Sequence, residues 1–173
     1  MNIDDTILAT VFVACLAIRA AYEFLKETRK INPESKPVFA VILTVMLTLW
    51  LSWFALCPQD PFQIELPALI RWFGLAVFIV GLVLAFGALI QLRGVENIDH
   101  LVTTGFFKKF RHPMYVGFIL WILGWGLFHG AIVSLAVGGI GIISVLWWRH
   151  LEEARLRIPF GVAYEQYRVT TWF

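Results

Sequence analysis

Phe110-Arg111-His112-Pro113-Met114-Tyr115-Val116-Gly117 is the stretch that decides the fold, because a cationic, hydrogen-bonding cluster there opens directly into a hydrophobic run. Pro113 lacks a backbone N–H and has a φ already suited to a first helical turn, so it starts a helix that continues through Tyr115, Gly117 and Trp121. Arg111 and His112 are thereby placed beside the free N–H groups of that helix start, which favour an anion. Polar chemistry is expected where this helix meets the edge of an apolar layer.

Outward from that point the chain is too apolar for a water-soluble domain: 173 residues, 60% hydrophobic, mean hydropathy +0.77. A bilayer span needs roughly 20 mostly apolar residues, and candidate runs fall at 7–24, 38–56, 69–92, 114–128 and 131–148. Gly124, Gly126 and Gly130 around His129 read as a tight reversal between the last two. The expected fold is an all-α integral membrane protein of five transmembrane helices. The last two form a helical hairpin, a cytoplasmic C-terminal helical tail follows, and residues 1–173 make one integral domain.

Charge placement gives the orientation, since short cytoplasmic loops carry excess Lys and Arg. Lys26, Arg29, Lys30 and Lys36 follow the first run, Arg93, Lys108, Lys109 and Arg111 the third, and Arg149, Arg155, Arg157 and Arg168 the fifth. The intervening segments are acidic or nearly neutral, with Asp4 and Asp5 at the start and Asp60 and Glu65 after the second run. The N-terminus is therefore expected outside, the C-terminus and the reactive segments in the cytoplasm. A net charge of +2 hides this asymmetry and argues against a nucleic-acid partner.

An acidic start without a small-residue cleavage pattern marks the first run as a retained span rather than a signal peptide. Cys15 and Cys57 make neither a disulfide framework nor a metal set, and no metal site is expected. Gly74, Gly81, Gly117, Gly124 and the Ser134/Gly138 pair suit close helix contact. Trp50, Trp53, Trp72, Trp147, Trp148 and Trp172 lie near expected interfaces, where tryptophan belts are ordinary. Arg19 and Glu23 are expected to snorkel from the end of the first span. Residues 57–61 read as a rigid external turn with little to react.

Three segments hold nearly all the reactive side chains: Gln91 through Asp99-His100-Leu101-Val102, Phe107 through Tyr115, and Arg149-His150-Leu151-Glu152-Glu153. If the fifth helix continues past Trp148, Glu152 and Glu153 sit about one turn beyond the membrane edge, facing Arg111 and His112. Glu153 lies about 100° around that helix from Glu152, where Arg149 and Arg157 can pair with it as an exposed ion pair.

Leu101-Val102-Thr103-Thr104-Gly105, then Arg111-His112-Pro113-Met114-Tyr115-Val116-Gly117, then Glu152-Glu153 with Leu156, Phe160-Gly161, Tyr164 and Tyr167 resemble the isoprenylcysteine carboxyl methyltransferase family and its phospholipid N-methyltransferase relatives. The resemblance covers residues 91–168; the first three spans match only as hydrophobic helices. It implies S-adenosylmethionine as cofactor, bound between the cytoplasmic end of the bundle and the tail. The implied acceptor is a membrane lipid or a prenylated small molecule or peptide. Carried over residue by residue, the cofactor-contacting positions are Gln91, Asp99, His100, Leu101, Val102, Phe107, His112, Pro113, Met114, Tyr115 and Glu152. The family's acceptor-orienting arginine falls at Trp148, and the adjacent Arg149 is the catalytic candidate in its place. The tail also ends sooner than is usual in the family, at Thr171-Trp172-Phe173, which implies a more open acceptor pocket.

The residue types suit this cofactor on their own chemistry. A methionine carboxylate needs cationic or N–H donors, as at His112 and the helix start, and its ammonium or ribose hydroxyls need a carboxylate such as Glu152. Adenine and sulfonium favour aromatic faces such as Phe107 and Tyr115. A carboxylate acceptor requires no general base, whereas an amine must lose a proton, with His100, His112 or His150 as conceivable bases. Two other classes stay open: a membrane NADPH-dependent sterol-type reductase, which shares an Arg-His-Pro-x-Tyr segment, and a non-enzymatic membrane scaffold.

Overall fold

The computed structural model describes residues 3–28, 30–32, 35–92 and 101–173. The described residues form five α-helices, α1 (Ile3–Glu27), α2 (Lys36–Leu56), α3 (Ala68–Leu92), α4 (Pro113–His129) and α5 (Ile132–Thr170), with 3-10 turns at Cys57–Gln59 and Gly105–Lys108. The first four expected runs lie inside α1 to α4, and the fifth, 131–148, begins one residue before α5, at its N-cap Ala131. Among the described residues, strand pairing is confined to two isolated bridges, Gln63 with Ala131 and Phe110 with Trp172. α1, α2, α3 and α5 are long and apolar enough to cross a bilayer, whereas α4, at 17 residues, is shorter.

α4 and α5 form the anticipated hairpin. Pro113 opens α4, and Gly130 closes it at φ 64 and ψ 30, the left-handed conformation that glycine adopts without a Cβ penalty. A side chain at Gly130 would also run into the Ile64 carbonyl.

α3 and α4 pack backbone against backbone. A Cβ built on Gly81 would lie 2.8 Å from the Gly117 carbonyl oxygen, and one built on Gly117 would lie 2.6 Å from that of Gly81. Gly74 and Gly124 repeat the contact one step along. Lipid offers no hydrophobic drive for helix pairing, so this close approach, with its dispersion contacts, is what holds the pair.

Three expectations need correcting. Trp72, Trp147 and Trp172 are exposed as belt residues should be, but Trp50, Trp53 and Trp148 are buried. Trp50 packs edge-on to Trp121 with ring centroids 4.5 Å apart, and Trp53 fits against α5 because Gly138 has no side chain. Arg19 and Glu23 do not snorkel. Glu23 is only 2% exposed, paired with Arg19 on its own helix and with Arg155 of α5, whose Nη2 lies 2.8 Å from Glu23 Oε2. The Arg19 guanidinium rests on the Trp148 ring, 5.0 Å from its centroid. A counter-charge and an aromatic face delivered by α5 remove the reason to reach for water.

The turn at residues 57–61, expected to have little to react, also has a task. Asp60, 6% exposed, accepts hydrogen bonds from Phe62 N (2.8 Å) and from Val133 N and Ser134 N in the first turn of α5. α5 has no side-chain cap at its own Ala131, so Asp60 supplies one from a distant part of the chain. Asp60→Ala strands those buried donors and is expected to cost about 1–3 kcal/mol, read as a lowered unfolding midpoint in detergent.

Candidate functional site

The site forms where α3 ends and α4 begins, under the extension of α5. Gln91, at the end of α3, donates from Nε2 to the Thr104 carbonyl (2.7 Å) and accepts at Oε1 from Phe106 N (3.1 Å). These bonds hold the turn Gly105–Lys108, and Gly105, at φ 56, leaves room for the Gln91 amide. The turn directs Phe107 inward, where it is buried.

The chain then runs as a strap into Pro113. Arg111 N donates to the Trp172 carbonyl (3.1 Å), His112 N to that of Phe173 (3.3 Å), and Trp172 N to that of Lys109 (2.8 Å). Arg111 Nη1 adds bonds to the carbonyls of Arg168 (2.9 Å) and Thr171 (2.7 Å). Residues 171–173 thus fold back onto the strap rather than leaving that side open, and the Phe173 ring lies under the Arg149 guanidinium at 4.6 Å.

α5 continues without interruption past Trp148 and presents Glu152 and Glu153 to the strap. Pro159 and Gly161 then break it, Gly161 taking φ 40 and ψ −115. That conformation suits a residue without a Cβ, and it swings Tyr164 and Tyr167 back toward α4. Tyr167 Oη donates to the Phe107 carbonyl at 2.6 Å, which fixes the returning segment.

His112, 4% exposed, is the centre. Its Nδ1 lies 3.7 Å from Glu152 Oε2 and its Nε2 lies 3.3 Å from Glu153 Oε1, the latter off the N–H axis so that Nε2 has no aligned acceptor among the described residues. The ring stacks on Tyr115 at 5.6 Å. Arg111 Nε (3.4 Å) and Arg149 Nε (3.8 Å) also approach Glu153 Oε1. Burial works against a charged imidazole, but the two carboxylates outweigh it and raise the His112 pKa above its ordinary value. In return His112, ahead of the charges of Arg149 and Arg111 and against the opposing effect of burial, pulls Glu153 down to about 2. Burial also opposes ionisation of Glu152, yet His112, Tyr115 and the charge of Arg155 bring it below the usual carboxylate range.

Beside His112 opens a cleft with about 380 Å³ of free space counted out to its mouth. Leu92, Leu101, Val102, Phe107 and Leu156 form apolar walls, and Arg111, His112, Glu152, Tyr164 and Tyr167 the polar part. Among the described residues the buried Tyr164 hydroxyl has no hydrogen-bond partner.

Of the residues singled out from sequence, Leu101, Val102, Phe107, His112 and Glu152 line this cleft together. Tyr115 stands behind it on His112, Pro113 is buried at the helix start, and Met114 packs on the core. Gln91 braces the turn, and Arg149 faces Phe173 and Glu153 rather than the cleft. Asp99 and His100 lie outside the described residues. Glu153 departs from expectation: it is buried among His112, Arg111 and Arg149, while Arg157 pairs with Glu165 at 3.0 Å. The bend at Gly161 brings Glu165 alongside Arg157, and the strap covers the side of α5 that carries Glu153. Arg111 as a bridge had no signal of its own, and Tyr164 as a cleft hydroxyl only a faint one, two tyrosines three apart just after a glycine.

Residues 69–162 match the model of a family described as phospholipid methyltransferase. The chain belongs to that family. The matched segment begins at α3 and carries the strap, α4, Glu152 and Glu153, so His112 and both carboxylates lie within it, with Tyr164 and Tyr167 just beyond its end. A stretch of 80 residues is 42% identical to the protein-S-isoprenylcysteine O-methyltransferase of Schizosaccharomyces pombe, covering 42% of this chain and 32% of that protein. This family member thus spans about a third of the length of the curated relative it matches. No solved structure matches it.

Proposed function

We propose that the chain transfers a methyl group from S-adenosylmethionine to a carboxylate on a lipid-like or prenylated acceptor, at the cytoplasmic edge of the membrane. The observation that carries this reading is a buried His112 bracketed by Glu152 and Glu153 at an apolar-walled cleft, within the family-matched segment. The donor set fits the cofactor. Arg111 and His112 offer cations for a carboxylate, Glu152 an anion for an ammonium, and the Tyr164 hydroxyl a hydrogen bond it does not make among the described residues. Bound there, S-adenosylmethionine supplies an electrophilic methyl carbon.

The work left to the protein is alignment and exclusion of water. Leu101, Val102, Phe107 and Leu156 exclude water, and the strap bonds to residues 171–173 keep Arg111 and His112 in place. His112 favours a carboxylate acceptor over an amine. Its two carboxylate neighbours keep the imidazole protonated to higher pH than an isolated histidine, so it is a poor proton acceptor. A carboxylate needs none, which agrees with what the name of the fission-yeast relative describes.

The protein in nanodiscs, given methyl-labelled S-adenosylmethionine with a prenylcysteine and with phosphatidylethanolamine, is expected to place label on the prenylcysteine as a base-labile ester. Label on the amine lipid would replace the carboxylate reading. Saturating cofactor, at a hundred times its Kd, should stabilise the fold by about 2.7 kcal/mol, and a shift with NADPH alone would favour the reductase instead. For orientation, we take α4 as a fifth span with the N-terminus outside. An impermeant thiol reagent on intact cells should then label Gln59→Cys and spare Thr104→Cys, and the reverse pattern would put the site on the wrong side for a cytosolic cofactor.

A further inference from the structure

The segment beyond the spans carries an apolar surface that methyl transfer does not use. Past Gly161 the helix turns Tyr164 and Tyr167 onto the cleft, while Val162 and Val169, two turns apart on a common face, stand 75% and 84% exposed. Ala163, Gln166 and Thr170 flank them on one side without charge, and Glu165, about 50° round the other side, is paired with Arg157 and Arg168. A helix face turned to water is normally rich in charge. Ile158, 85% exposed at the elbow, and Trp172, 66% exposed at the far end, extend the apolar row in both directions.

Both ends of the row lie level with the ends of helices long or apolar enough to span. Arg155 is bonded to Glu23 near the end of α1, so Ile158, three residues on, stands only about 4.5 Å further out along the helix. Trp172 is tied to Lys109, just before α4 begins at Pro113, and Lys108, Lys109 and Trp172 together rim a shallow groove. Tryptophan and lysine at this depth are side chains that settle among headgroups, and the lysines attract anionic lipid.

We propose that residues 158–172 form an interfacial arm, its outer face of Ile158, Val162, Val169 and Trp172 seated in the bilayer surface, with Lys108 and Lys109 on anionic headgroups. One side of the arm roofs the cleft through Tyr164 and Tyr167, and the bilayer holds the other. The inference is independent of the reaction, since its outer-face residues and lysines take no part in the proposed chemistry.

Spin labels placed singly at Ile158→Cys, Val162→Cys and Val169→Cys test it, because the native Cys15 and Cys57 are buried. In nanodiscs of phosphatidylcholine with phosphatidylserine, collisions with oxygen should exceed those with a water-soluble nickel chelate at all three positions. The ratio should invert at Lys30→Cys, which is exposed just past the end of α1. Nickel access at the arm equal to that at Lys30 overturns the proposal. Shielding from both reagents also overturns it, because a second copy or another protein would then cover the face. Phosphatidylcholine alone should raise nickel access at Val169, and Lys108→Gln/Lys109→Gln should erase the difference, each lysine counting for roughly fivefold in anionic preference. Indifference of the parent protein to lipid charge would overturn the role of the lysines.

Discussion

Glu153→Gln is expected to destabilise the protein by about 3 to 5 kcal/mol, the cost of removing one member of a buried ion cluster. The amide keeps the shape of the side chain but leaves Arg111, His112 and Arg149 around it without the carboxylate they share. The pH dependence follows from the two shifts. Glu153 is depressed in the fold, so its contribution is present above the unfolded carboxylate value and is lost as pH falls through about 2. His112 is raised, so its contribution is complete below the unfolded imidazole value and is lost as pH rises through the folded one. Stability of the parent protein should therefore hold through mildly acidic pH and decline on both sides. The variant should start lower and show less of the acid limb. Unfolding in detergent across a pH series measures both, and a loss under about 1 kcal/mol would mean that Glu153 acts as an ordinary exposed ion pair.

Gly117→Leu should be at least as damaging, for a steric reason. A Cβ at that position already meets Ala85 N and the Gly81 carbonyl oxygen at 2.6 Å, and those atoms are backbone, which cannot swing aside. α3 and α4 must part. Overpacking usually costs about 1–3 kcal/mol, and a forced separation along a whole helix pair should exceed that and prevent recovery of folded protein. Because His112 rides on the start of α4 and Leu92 ends α3, any protein recovered should also lose cofactor binding. Gly139→Leu is the control: nothing lies within 4 Å of a Cβ there, and near-parental stability is expected. Equal behaviour of the two variants would remove the α3–α4 seam as the reason.

The helices were legible because hydropathy and glycine placement are local signals, and the hairpin turned on the same glycines that the structure uses. Half of the site was legible for a related reason: His112 and Glu152 flank one hairpin, so their meeting needs only that α5 continue as a helix. What escaped depends on pairs far apart in the chain. Asp60 reaches Ser134, Arg111 reaches Thr171, and Glu23 reaches Arg155 across 132 positions. No periodicity encodes such partners. The burial of Glu153 required the Gly161 bend to be known first, since without it Arg157 is the nearer claimant. The bracing of the turn by Gln91 was not legible because an amide that braces a turn and one that holds a ligand look alike in sequence.

The bond between Glu23 and Arg155 has a consequence for inheritance. Arg155 lies inside the segment that matches the family, and Glu23 lies in a first helix outside it. A recombinant that kept the matched segment but drew its first helix from a lineage with no acid at that position would lose the carboxylate shared by Arg19 and Arg155. Its leading helices would fit by hydropathy and still fail by charge. The two parts of this gene are therefore expected to travel together, and chimeras joined between α2 and α3 should be viable only when the acid comes along or both arginines are exchanged with it.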